Sequence, residues 1–100
     1  MNDTISQSDE ASFGPDVVLD APAYVDPTAR LFGKIKIKQH SSLWPYVVIR
    51  AEDLEVEIGR YVNVQDHAMI HIGYGTGTQI GDFCSITHKA TIHGATIGEN

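Results

Sequence analysis

A large aliphatic residue returns every six positions along most of this chain, and few folds can use that spacing. Val25, Leu31, Ile37, Leu43 and Ile49 form one run, Ile58, Val64 and Ile70 a second, and Ile80, Ile86 and Ile92 a third. A small or polar residue often follows, as in Ile58-Gly59, Ile80-Gly81 and Ile97-Gly98. Self-similarity at a fixed period signals a solenoid, and a six-residue period points to a parallel β-helix in which each hexad supplies one short strand and one corner. The aliphatic position points inward. So does the fifth position, where Ala29, Val47, Val62, Ala68, Cys84 and Ala90 suit the crowded interior of a narrow prism. Strands this short cannot bury a face alone, so stability has to come from coils covering one another.

With three hexads per coil, residues about eighteen apart stack at the inter-strand spacing of roughly 4.8 Å. Ile49 to Ile58 is three residues longer than a hexad, and Ile70 to Ile80 is four longer. Both surpluses read as loops bulging from a corner. The second is the glycine-rich Gly73-Tyr74-Gly75-Thr76-Gly77, and glycine tolerates the backbone angles such turns need. With the loops set aside, Ile49, Ile70 and Ile92 share a face. The residues after them, Arg50, His71 and His93, then form a column with two imidazoles on adjacent coils. His88 lies two positions after Ile86, on the preceding face and nearer another corner.

This phasing gives a two-plus-one arrangement of histidines. A homotrimer would satisfy it by bringing His88 of one chain beside His71 and His93 of the next. Neutral imidazole suits zinc at about 2.0–2.1 Å, and three protein ligands leave the fourth position open, the pattern of catalytic zinc. A plainer reading stays open, in which His71 and His93 are a structural pair along a solenoid wall and His88 is a surface residue. His40 and His67 occupy outward positions and read as solvated side chains. Cys84 reads as packing, Trp44-Pro45 as a packed corner, and Asn63 and Gln65 as turn caps if not functional.

The stretch Leu43-Trp44-Pro45-Tyr46-Val47-Val48-Ile49-Arg50, then Ile58-Gly59 leading to Asn63-Val64-Gln65-Asp66, His71, and the run from His88 to Gly98 together resemble the γ-class carbonic anhydrases. The resemblance covers roughly Val25 to Asn100. It implies an all-β fold, a left-handed parallel β-helix, and a homotrimer holding zinc, or iron or cobalt, through His71, His88 and His93. It implies that Gln65 orients metal-bound solvent or substrate with Asn63 nearby, and that Arg50 and Asp66 form an ion pair across the subunit interface. Members of the family often carry an acid shortly after the arginine, and Arg50-Ala51-Glu52-Asp53 offers two for that place. The implied reaction is reversible hydration of carbon dioxide to bicarbonate by a metal-bound hydroxide, zinc lowering the pKa of water to about 7. Fast members have a long acidic loop with a glutamate shuttle after the first histidine. Here Gly73 to Gly77 is short and uncharged, so Tyr74, His67 or buffer would carry the proton, and slow or absent turnover is expected.

Two other classes share the scaffold. A hexapeptide-repeat acyltransferase using an acyl-coenzyme A donor needs one histidine as base, and three ligand-phased histidines exceed that need. An assembly subunit could keep the scaffold without turnover. The formal charge of −6 argues against a nucleic-acid surface, and no segment approaches the roughly twenty apolar residues that span a membrane. Residues 1–20 hold Asp3, Asp9, Glu10, Asp16 and Asp20 with no lysine or arginine. They read as a flexible acidic arm before a β-helix domain at 21–100, and as neither a secretory signal nor a mitochondrial-type presequence. A single cysteine permits no intrachain disulfide and makes a reducing cytoplasm the simplest setting. Ile97-Gly98-Glu99-Asn100 opens a further hexad, so the solenoid is expected to be truncated before the family's C-terminal coils and helix.

Overall fold

A computed structural model of the chain describes residues 12–13, 15–73 and 75–98. They form an all-β solenoid of parallel strands with three walls. The first wall stacks β3 (Tyr24–Val25), β5 (Ser42–Leu43), β7 (Asn63–Val64) and β10 (Ser85–Ile86). On the second, β1 (Ser12–Phe13), the start of β4 (Arg30–Ile37), the start of β6 (Val48–Ile58), β8 (Met69–His71) and β11 (Thr91–His93) follow one another. On the third, β2 (Val17–Leu19) and the ends of β4 and β6 continue into β9 (Thr78–Ile80) and β12 (Thr96–Ile97).

The six-residue period is the register of this stack. Val25, Leu43, Val64 and Ile86 align on the first wall, Leu31, Ile49, Ile70 and Ile92 on the second, and Ile37, Ile58, Ile80 and Ile97 on the third. Most of these side chains are buried, joined by the fifth-position Ala29, Val47, Val62, Ala68 and Cys84. Between hexads the chain turns through a residue with positive φ: His40, Tyr46, Tyr61, His67, Phe83 and Lys89, at 56–65°. Such a backbone costs roughly 1–2 kcal/mol for an L-residue. Each coil offsets it by bonding to the one below, as where Phe83 N donates to Arg60 O at 2.9 Å and His67 N to Pro45 O at 3.0 Å. The exposed corner rings also stack, His40 on Tyr61 and Tyr61 on Phe83, and Tyr46 on His67. The outward placement expected of His40 and His67 is found, with an aromatic neighbour for each.

The first surplus differs from expectation. Residues 52–55 do not leave the sheet as a loop but remain inside β6, an 11-residue strand. Register shifts there from Gly33 opposite Ala51 to Ile35 opposite Val56. Three extra residues are thus absorbed as a bulge, which bends the strand around the corner instead of breaking it. The second surplus is a tight turn closed by an antiparallel bridge between Gly73 and Thr76. Of the expected N-terminal arm, residues 1–11 and 14 lie outside the described residues, whereas Ser12–Phe13 and Val17–Leu19 run as short strands against β4. No helix among the described residues is long and apolar enough to cross a membrane.

Candidate metal centre

Inward Ile49, Ile70 and Ile92 fix the direction of their neighbours, because side chains alternate across a strand. Arg50, His71 and His93 therefore stand one above another on the outer face of the second wall. The His71 and His93 rings stack with centroids 5.1 Å apart and planes 17° from parallel, close to the spacing of the strands that carry them. The column expected from phasing is present.

Glu52 joins it. Its Oε2 accepts from Arg50 Nη2 at 2.6 Å and Nε at 3.0 Å, and its Oε1 lies 3.0 Å from His71 Nε2. A backbone N–H, that of Glu52 itself, does most to hold the Glu52 carboxyl below the usual carboxylate range, followed by the His71 ring and the Arg50 guanidinium, against partial desolvation. An ionised carboxylate can only accept, so the facing Nε2 of His71 is the donor in this contact. A metal taken up at Nε2 displaces Glu52, and one taken up at Nδ1 keeps it as a supporting partner.

The sequence reading did not settle on Glu52. Its signal was the spacing Arg50-Ala51-Glu52, which on a strand sends Arg50 and Glu52 to one face while Ala51 is buried. Within one chain the partner of Arg50 is thus Glu52, and a pairing with Asp66 would have to form between copies. The side chain of Asp53, the other acid considered, and Tyr74 lie outside the described residues. Carbon-detected NMR titration is expected to place Glu52 below the ordinary glutamate midpoint of about 4.3, with Arg50→Ala moving it part of the way back. The folded-state pKa is lowered, so the network contributes above the unfolded value and is lost as pH falls through the folded one. A Glu52 midpoint at or above that of an unfolded chain would rule the network out.

His88 stands exposed in the turn after β10, away from the column. Asp66 occupies the matching place one coil below, where its carbonyl accepts from Lys89 N at 3.0 Å. Asn63 and Gln65 flank inward Val64 on the first wall. The Asn63 Oδ1 accepts from Ser42 Oγ at 2.8 Å and Trp44 Nε1 at 3.2 Å, which leaves Nδ2 as the end that can donate. Trp44 is not packed away as expected of a corner. It is 40% exposed and leans on Tyr24 at 5.1 Å.

These residues therefore stand in two groups on different walls of one chain: the His71–His93 pair with Arg50 and Glu52, and His88 with Asp66, Gln65 and Asn63. Among the described residues no three His, Cys, Asp or Glu side chains gather into a metal-holding set. Two stacked imidazoles are chemically suited to a zinc-type ion and would supply two of its ligands, so the residues fit such an ion if a third donor comes from outside the chain.

No family model matches the chain. It is 42% identical over 72 residues to a probable carbonic anhydrase of Methanocaldococcus jannaschii, covering 72% of this chain and 45% of that protein. It is 34% identical over 85 residues to the mitochondrial gamma carbonic anhydrase 3 of Arabidopsis thaliana, covering 79% and 33%. An uncharacterized transferase of Bacillus subtilis, YtoA, is 35% identical over 78 residues, covering 78% and 46%. The chain thus spans less than half the length of these relatives. Parallel hexapeptide coils and these similarities agree, and over 72–79% of its length the chain is similar to proteins named carbonic anhydrase, the γ class among them.

Proposed function

We propose that the chain is part of a homotrimeric carbonic anhydrase-like metalloprotein that reversibly hydrates carbon dioxide, a carbonate dehydratase, in the cytoplasm. The observation that carries this reading is the stacked His71–His93 pair on one wall with His88 set apart on another. A threefold arrangement lets the pair of one copy meet His88 of the next. These three residues would hold zinc, with iron or cobalt as alternatives. When bound, the ion supplies Lewis-acid activation of water at neutral pH. Asn63, with its Oδ1 already occupied by Ser42 and Trp44, is set to donate from Nδ2 to a substrate oxygen. Gln65, two residues on and on the same outer face, orients the reacting oxygens beside it. Glu52 holds the His71 ring in place, and Arg50 braces Glu52; across the interface Asp66 gives Arg50 a second acid to meet.

Metal content per chain, measured on the size-separated oligomer purified without chelator or added metal, tests this first. About one zinc or iron per chain confined to the trimer, with carbon dioxide hydration, supports the reading. A metal-loaded trimer without hydration points to an assembly subunit, which the short uncharged Gly73–Gly77 turn favours. Similarity to the Bacillus subtilis protein named a transferase supports the acyltransferase alternative, and acyl transfer suppressed by competing coenzyme A would establish it.

A further inference from the structure

Ser41 and Thr78 are the two buried polar side chains among the described residues. The Ser41 hydroxyl bridges Gly59 O at 2.5 Å and Val62 N at 3.0 Å, at a corner remote in sequence from the histidine column. Thr78, at the start of β9, is placed differently. Its Oγ1 donates to the carbonyl of His71 at 2.8 Å and accepts from Ala95 N at 3.4 Å. The same His71 carbonyl accepts from Gly94 N at 2.8 Å. One hydroxyl therefore ties the backbone at one histidine to the backbone two residues after the other. The coils approach closely here: a Cβ at Gly94 would lie 2.7 Å from Gly73 Cα.

We infer that Thr78 is a positioning residue for the His71–His93 pair, fixing the offset between the two imidazoles through their backbones. The inference rests on the metal-site reading above. A ligand pair has to be held within about 0.5 Å to bind well, and buried hydrogen bonds supply that rigidity. A side chain at this position without a hydroxyl leaves Ala95 N unpaired and frees one side of the His71 carbonyl.

The test is a cobalt(II) titration of the full protein followed by its visible absorption, with thermal unfolding in parallel. Thr78→Val is expected to weaken cobalt binding about tenfold or more and alter the absorption spectrum, Thr78→Ser to restore both, and Ser41→Ala to lower thermal stability with unchanged affinity. Thr78→Val affinity within twofold of the parent, or an equal loss in Ser41→Ala, overturns the inference. Should Thr78→Val fail to fold, the parent protein decides: on zinc loading the Ala95 amide signal should move with the His71 and His93 ring signals, and a stationary Ala95 amide overturns it. A parent protein that takes up no metal refutes the metal-site reading itself, a result distinct from any difference among the variants.

Discussion

Replacing His88 by alanine is expected to abolish metal binding while the solenoid keeps its fold and its thermal stability within about 0.5 kcal/mol, the usual range for an exposed site. His88 is exposed in a turn whose backbone is held by its neighbours, with Lys89 N on Asp66 O and Ala90 N on Thr87 O. His71→Ala should also abolish binding, from the opposite wall. Mixing the two defective chains then gives a sharper result. In a trimer with head-to-tail interfaces, a site is intact where the wall of a His88→Ala chain meets the corner of a His71→Ala chain. Random assembly at equal amounts makes that true of about one quarter of the interfaces. Metal analysis of the refolded mixture should recover that fraction. No recovery, with mixed trimers demonstrated by mass, would refute ligand sharing between copies, and full metal in His88→Ala alone would refute the three-histidine site.

The part of this site legible in the sequence is the part that the core dictates. Ile49, Ile70 and Ile92 must point inward, so the residue after each must point out, and two loop lengths suffice to align Arg50, His71 and His93. What escaped depends on interactions that periodicity does not encode. Residues 52–55 stay in the strand because Gly33 on the coil below lets Ala51 approach closely, and that bulge brings Glu52 back onto His71. Thr78 is 0% exposed beside an inserted turn, where counting by six breaks down. The six corner residues with positive φ are mostly aromatic or histidine rather than glycine, because coil-to-coil bonds and ring stacking offset a local preference that sequence alone would honour. The sequence likewise separated His88 from the pair but could not show Arg50 satisfied within its own chain by Glu52.

Gly33→Ala is expected to cost roughly 3 kcal/mol or more, in the range reserved for backbone strain and overpacking. Gly33 has φ +93°, and an added Cβ would sit 2.0 Å from Ala51 O and 2.5 Å from Ala51 C. Both are backbone atoms, so no side chain can swing aside, and Ala51 is itself fully buried. Gly75→Ala is the matched control. Its φ is +65°, but nothing lies within 4 Å of the added Cβ, leaving only the left-handed backbone preference, about 1 kcal/mol. Urea unfolding of both variants at one protein concentration separates the two contributions. Equal costs would mean that the β4–β6 corner yields easily and that the close approach of Gly33 to Ala51 is not what holds it. Ala51 lies between Arg50 and Glu52, so the consequence extends to the site. Gly33→Ala should part Glu52 from Arg50 and His71 and weaken metal uptake at temperatures where the variant is still folded, while Gly75→Ala leaves uptake unchanged.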